Sequence, residues 1–230
     1  ELQASRPEVI YRDVEGVRSE PFESVQIDTP DEYTGAIIDT LSQRKGEMKN
    51  MESTGNGQTR LTFLAPSRGL IGYSTEFLSL TRGYGIMNHT YAKYAPVIKN
   101  WNPGRRNGAL VSINQGKTTT YATMGIEERG TIFVDPGTDV YEGMIVGQNS
   151  RENDISVNIT KGKNMTNVRS SNKDLTATIK TPTHLTLEES LEFLNSDEYC
   201  EITPEHVRLR KTILNTSSRE KEAKKRKMAK

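Results

Sequence analysis

The 230 residues leave room for one or two domains, and a hydrophobic share of 33% with a mean hydropathy of −0.68 is wet for a globular chain but too patterned for wholesale disorder. No apolar run approaches the ~20 residues of a membrane span, residues 1–7 hold no signal-like apolar stretch, and the lone Cys200 excludes an intrachain disulfide or a cysteine zinc site, so a reducing, cytoplasmic setting is expected. The net charge of +1 hides two basic islands: 219–230 carries seven Lys/Arg against two acidic residues and 151–173 five against two, whereas 174–218 runs acidic.

Residues 1–20 open on Val9-Ile10-Tyr11, a strand-like run without partners and without a preceding start Met. They are expected to be the trailing strand and linker of a preceding domain, and the chain a fragment. From Phe22 the pattern becomes legible. Val25 and Ile27 alternate with polar residues as in a half-buried strand. Thr29-Pro30-Asp31-Glu32 predicts a helix start with Thr29 as N-cap. Tyr33, Ile37 and Leu41 recur at four-residue spacing, and Gly46 ends the helix. Strands at 47–53 and 58–65 flank Gly55-Asn56-Gly57, a hairpin signal. Ser67 caps a second helix with inner face Leu70, Ile71, Phe77 and Leu78, ending at Gly83; Met87, His89 and Tyr91 alternate in a last strand. Strand-helix-strand-strand-helix-strand over 21–95 is the split βαβ, ferredoxin-like order. With no second ligand near it, His89 reads as a sheet residue.

Beyond Pro96 the pattern changes. Short strands are predicted at 109–113, 120–124, 132–134, 140–146 and 155–159, punctuated by Gly, Pro and Asp. Their spacing of about ten residues argues for a β-rich, barrel-like unit over 96–215. Residues 160–173 are polar, basic and nearly free of apolar side chains, as in a functional or disordered loop. Leu175, Ala177 and Ile179 resume a strand, Thr186-Leu187-Glu188-Glu189 opens a short helix, and Val207 and Leu209 alternate with arginines. In the basic tail, 216–230, Ser217 to Glu220 can cap a final, basic helix. The chain is therefore expected to be α+β.

The chemistry-bearing candidates divide sharply. Gly116-Lys117-Thr118 invites a phosphate-loop reading, but the residue five positions before Gly116 is Val111, where the motif requires Gly. Glu127-Glu128 and Glu188-Glu189 are better explained as solvated faces or caps than as acid–base pairs, and no Gly-x-Ser-x-Gly elbow occurs. No catalytic residue and no metal ligand set is predicted. The donor-rich island from Arg151 through Lys161, Lys163, Asn164, Asn167 and Arg169 to Lys173 suits nucleic-acid backbone, because phosphate and ribose offer mainly acceptors. Arg105 and Arg106, beside Trp101, repeat the theme; an ordinary exposed turn with a half-buried Trp fits that second site as well.

At these residues the chain resembles the BipA/TypA translational GTPases. The resemblance rests on Arg6-Pro7-Glu8-Val9-Ile10-Tyr11, Arg44-Lys45-Gly46-Glu47-Met48-Lys49-Asn50-Met51, Pro66-Ser67-Arg68-Gly69-Leu70-Ile71-Gly72, Gln115-Gly116-Lys117, Val140-Tyr141-Glu142-Gly143, Ser150-Arg151-Glu152-Asn153-Asp154 and Thr166-Asn167-Val168-Arg169. Pro66 to Gly72 with Ser79-Leu80-Thr81-Arg82-Gly83 is also similar to the ferredoxin-like fifth domain of elongation factor G, and the part after Pro96 to the domain peculiar to BipA/TypA.

The resemblance implies ribosome binding near the factor site. The loop at 160–173 would reach large-subunit rRNA and the acceptor end of A-site tRNA. It also implies roles in translation, ribosome assembly and stress adaptation. No G domain, Walker A or switch segment is present, so GTP and Mg2+ are implied only for an absent GTPase domain, and this part is expected to be neither an enzyme nor a holder of cofactors. It is expected to be monomeric, with no membrane partner and no small-molecule substrate. Two alternatives stay open: a protein-interaction or structural module with a solubilising tail, and a nucleotide-dependent enzyme built on Gly116 to Thr118.

Overall fold

The computed structural model describes residues 2–101, 103–162 and 179–228, the last three by backbone only. The chain divides into two compact units, 7–103 and 1–6 with 104–230. The strand β1 (Leu2–Ser5) belongs to the second unit, where it pairs antiparallel with residues 199–202. The start of the chain is thus a working strand of that unit, where a trailing strand and linker over 1–20 was expected. The partner of β1 lies almost two hundred residues downstream, beyond the reach of any local pattern.

In the first unit, β2 (Arg12–Val14) forms a hairpin with β3 (Val17–Pro30), followed by α1 (Thr34–Gln43), β4 (Glu47–Gly55), β5 (Gln58–Pro66), α2 (Ser67–Leu70), α3 (Tyr73–Leu80) and β6 (Ile86–Pro96). The four long strands lie in the order β6-β3-β5-β4, all antiparallel, which is the ferredoxin-like arrangement. Val25, Ile27, Leu61, Phe63 and Ala65 from the central strands pack with Ile37, Leu41, Leu70, Tyr73 and Phe77 from the helices, so the core lies on the helix-covered face.

Local details depart from the sequence expectations. Thr29 does not cap α1. The ladder between β3 and β5 runs on to Pro30, Thr29 is buried opposite Thr59, and a 3-10 turn at Asp31–Tyr33 leads into the helix. The second helix is broken by a left-handed Gly72, so its inner face is Leu70, Tyr73 and Phe77, while Leu78 turns outward. The Asn56-Gly57 turn has positive φ at both residues, as a tight hairpin between right-twisted strands requires.

A buried ion pair closes this unit. Glu20 is fully buried and accepts from Arg68 Nε at 2.5 Å and Nη2 at 3.0 Å. The same guanidinium donates to the carbonyls of Ile98 and Trp101, both at 2.6 Å, and lies over the Trp101 ring. One fork thus ties α2 to β3 and to the chain leaving β6.

In the second unit, β7 (Ala109–Ser112), β8 (Gly116–Lys117), α4 (Thr120–Ile126), β9 (Gly130–Ile132), β10 (Asp139–Val140), β11 (Met144–Asn149) and β12 (Ile155–Val157) precede α5 (Leu187–Phe193), β13 (Glu198–Ile202), β14 (Val207–Lys211) and α6 (Thr216–Met228). The main sheet runs β1-β13-β14-β11-β7-β12, with β9 also on β11 and β12 parallel to β7. Among the described residues its ends stay open. The β-rich unit is therefore a mixed sheet with buried faces, where the regular strand spacing argues for a barrel. Successive residues of β7 and β11 serve opposite faces: Leu110, Met144 and Val146 pack with Ala122 and Ile126 of α4, whereas Ala109, Val111 and Ile145 pack with Leu194, Cys200 and Leu209. An uninterrupted apolar run is what a doubly covered strand requires.

Residues 120–124, expected as a strand, form α4 because the Thr119 hydroxyl accepts from Ala122 N at 3.1 Å and caps a helix. The helix start expected at Thr186 is present, and there Thr186 and Glu189 form a capping box with both halves made. Of the strand expected at 175–179, Leu175 and Ala177 lie outside the described residues, and Ile179 is in no strand.

Arg68→Ala should destabilise the first unit by about 3–5 kcal/mol, because it leaves the Glu20 carboxylate buried and unpaired. Urea unfolding followed by Trp101 fluorescence checks this; a destabilisation below about 1 kcal/mol would show that the fork is dispensable.

Candidate nucleic-acid interface

The two arginine-bearing turns are brought together by a glycine. Gly108 N donates to the Arg151 carbonyl at 2.7 Å, Asn149 N donates to the Gly108 carbonyl at 2.8 Å, and Ala109 N donates to Asp154 Oδ1 at 2.7 Å. A Cβ at position 108 would lie 2.1 Å from the Asn153 carbonyl oxygen, so only glycine permits this approach. The docked turns carry Arg106 and Arg151, both exposed on one unit although 45 positions apart.

Arg105 faces the other way. Its side chain is 7% exposed and forks onto Glu198 at 2.9 and 3.0 Å, donates to the carbonyls of Asn107 and Phe193, and lies 3.8 Å from the Phe193 ring centroid. Its donors are engaged by protein acceptors, so Arg105 drops out of the nucleic-acid set proposed from sequence. Trp101 likewise serves the Arg68 fork of the first unit.

Glu198, fully buried, also accepts from Lys211 Nζ at 2.8 Å, and Lys211 reaches Asp154 at 2.6 Å and Asp197 at 3.0 Å. Burial opposes charge on Asp154, yet Lys211 and the Ala109 N–H outweigh it and hold the carboxyl below the usual range. Burial would likewise lower Lys211, but Glu198, Asp154 and Asp197 raise it above its ordinary value. Asp154 and Lys211 therefore both stay charged across the neutral range, and their ion pair fixes the 150–154 turn, hence the position of Arg151.

The described residues that flank 163–178 are both tied to one helical segment. Thr119 Oγ1 donates to the Lys161 carbonyl at 2.6 Å and Thr119 N to the Ile159 carbonyl at 3.0 Å, while Lys180 N donates to Glu127 Oε2 at 3.0 Å just beyond α4. The two stems are thus held at opposite ends of α4 and its 3-10 extension, Glu127–Arg129. Lys161 is exposed at the first stem; Lys163, Asn164, Asn167, Arg169 and Lys173 lie outside the described residues. Tyr121, in a stretch that reads as a strand in the sequence, is half exposed in the first turn of α4.

Gly116-Lys117-Thr118 is not an open phosphate cradle. Gly116 and Lys117 pair with Val140 and Asp139, Thr118 N donates to the Thr138 carbonyl, and Thr118 Oγ1 donates to the Asp135 carbonyl. Thr119 N is also engaged, so the amides after the lysine are already committed. Among the described residues no cluster of His, Cys, Asp and Glu forms a metal site, and no helix is long and apolar enough to cross a membrane.

Comparison with known proteins adds two family matches and close relatives. The family described as TypA/BipA C-terminal domain matches residues 107–216, and elongation factor G C-terminus matches 17–102. The chain is 61% identical over 229 residues to a Bacillus subtilis protein named large ribosomal subunit assembly factor BipA, covering 100% of this chain and 37% of the relative. Proteins of the same name from Escherichia coli K12 and Haemophilus influenzae are 42% and 41% identical, covering 95% and 96% of this chain and 36% of each relative. The chain thus spans little more than a third of these relatives.

Lys211→Met should cost about 3–5 kcal/mol near neutral pH, since three carboxylates then face one another with Arg105 alone to neutralise them. For the wild type the sign follows from the two shifts. Asp154, lowered, contributes stability above the unfolded carboxylate range of about 3.9 and loses it as pH falls through its folded value; Lys211, raised, contributes below about 10.4 and loses it as pH rises through its folded value. Denaturant midpoints across pH should show a deficit of the variant that is largest near neutrality and shrinks in acid. A pH-independent deficit would contradict the charge argument.

Proposed function

The chain belongs to the TypA/BipA family, and on that premise we propose that it binds the ribosome through RNA contacts of its second unit. The contacts proposed are large-subunit rRNA and the acceptor end of A-site tRNA, in the service of ribosome assembly, translation and adaptation to stress. The observation that supports this reading most is the convergence of exposed Arg106 and Arg151 on docked turns of the unit that also bears the basic loop, with Arg105 and Lys211 folded inward to hold those turns. Basic side chains displace counterions from phosphates, and the folded body sets their spacing. Lys161, Lys163, Asn164, Asn167, Arg169 and Lys173 are the proposed contacts on the loop. The chain acts as a monomer in the cytoplasm, where its ribosomal partner resides. GTP and Mg2+ chemistry belongs to other parts of the family's longer proteins and no hydrolytic step to these residues, a reading supported by the committed amides around Lys117.

Co-sedimentation with ribosomes across a salt series tests this. Replacing Arg106, Arg151 and Lys161 by Ala should weaken binding and flatten the slope of log K against log[salt] by about 0.9 for each phosphate no longer neutralised, with stability within about 1 kcal/mol of wild type. Arg105→Ala should instead lower stability by about 3–5 kcal/mol. Unchanged affinity and slope in the triple variant would sink the RNA reading and favour a protein-interaction module.

A further inference from the structure

The helix expected in the C-terminal basic island is present among the described residues. Residues 216–228 form α6, and its start is seated in a socket made by the turn between β10 and β11. Glu142 Oε1 accepts from Thr216 N at 2.7 Å and from Asn215 Nδ2 at 3.3 Å, and Asn215 Oδ1 accepts from Ser218 N at 3.1 Å as the helix cap. Those hydrogen bonds hold the Glu142 carboxyl below its ordinary range. Arg219 folds back onto the carbonyls of Ile213 and Leu214. The socket is itself braced. Tyr141 donates to Glu201 at 2.5 Å, Gly143 N donates to the Ser112 carbonyl at 2.8 Å, and Lys211 N donates to the Gly143 carbonyl at 2.9 Å. Gly143 has φ +89°, and a Cβ there would meet Leu214 Cα at 2.6 Å, so backbone packs directly on backbone.

Helical spacing then sorts the charges. Arg219 and Glu222 are half-buried on one side, whereas Lys221, Lys224 and Lys225, at i, i+3 and i+4, are exposed together on the other, in line with Ser217. Glu220 stands at the edge of this lysine face, and no aromatic residue occurs anywhere in α6. A surface of point charges and a hydroxyl matches phosphates and has nothing on which an unstacked base could rest.

We propose that α6 is a second, pre-positioned RNA contact, which lays its Lys221/Lys224/Lys225 face along the phosphates of an RNA duplex while Glu142 aims the helix. This rests on the RNA-binding reading above, and it adds residues independent of the 160–173 loop. Glu142 is a positioning residue: it touches the helix, not the ligand.

The test uses the whole chain and three probes: a short RNA duplex, one of its strands alone, and phosphatidylserine vesicles. Wild type should prefer the duplex, with a steep salt dependence. The Lys221→Ala, Lys224→Ala, Lys225→Ala variant, which keeps helix formers throughout, should bind about tenfold more weakly or worse, with a salt slope flatter by about 2–3. Glu142→Ala should weaken binding while leaving the slope near wild type, since no cation is removed, and Glu142→Gln, which keeps an acceptor, should restore it. If wild type binds the duplex and the lysine variant binds it equally with the same slope, α6 is not a contact, although the RNA-binding reading stands. If wild type fails to bind RNA even at low salt, both fall. Preference for the single strand, or a lysine-dependent affinity confined to vesicles, overturns the duplex assignment.

Discussion

The second unit turns on a single ammonium. Lys211, at the end of β14, is almost wholly buried and satisfies Glu198 on β13, Asp197 just before it, and Asp154 in a turn some sixty positions earlier. Glu198 in turn holds the Arg105 fork. Removing charges from water is costly unless each is matched, so the cluster forms only when β13, β14, the 104–109 turn and the 150–154 turn are all in place. A requirement of this kind converts four segments distant in sequence into one geometry, and the exposed arginines inherit their positions from it.

The same device secures the first unit. There Arg68 grips a fully buried Glu20 and two carbonyls while lying over Trp101, much as Arg105 grips Glu198 and the Phe193 carbonyl while lying over Phe193. The planar guanidinium suits this inward work, since it meets a carboxylate with two parallel bonds and presents a flat face to an aromatic ring. Of the cations in 104–161, Arg106, Lys117, Arg129, Arg151 and Lys161 are exposed, and at Arg151 and Lys161 it is the backbone carbonyl that is tied to the scaffold. The division explains how charge is displayed without the display itself having to stabilise the fold.

Short elements do the positioning. The seven-residue α4 holds one loop stem at its cap and the other beyond its end, and the Tyr141-Glu142-Gly143 turn seats α6. Both are buttressed by the main sheet, whose strands β7 and β11 are covered on each face and leave little freedom to shift. A rigid sheet with functional groups on its connections is the usual division of labour, because loops can vary in chemistry while the scaffold keeps their ends fixed.

Much of the first unit was legible in the amino-acid sequence because its signals are local. The Ile37 and Leu41 stripe, the Asn56-Gly57 hairpin and the alternation of Val25 and Ile27 each need only a few neighbours, and together they determine the ferredoxin-like order. The helix start at Thr186 and the basic character of 151–173 and 219–230 were equally plain. What the tertiary structure decided depended on partners far along the chain. The ladder with β5 overrode Thr29 as a cap; β13 captured β1; a cap at Thr119 turned an apparent strand into α4. Arg105 and Arg106 are indistinguishable neighbours in sequence, yet one is buried on Glu198 and the other exposed. Composition fixes how many charges a chain has, but whether a charge faces inward depends on a buried counter-charge waiting for it, and that counter-charge is set by the fold.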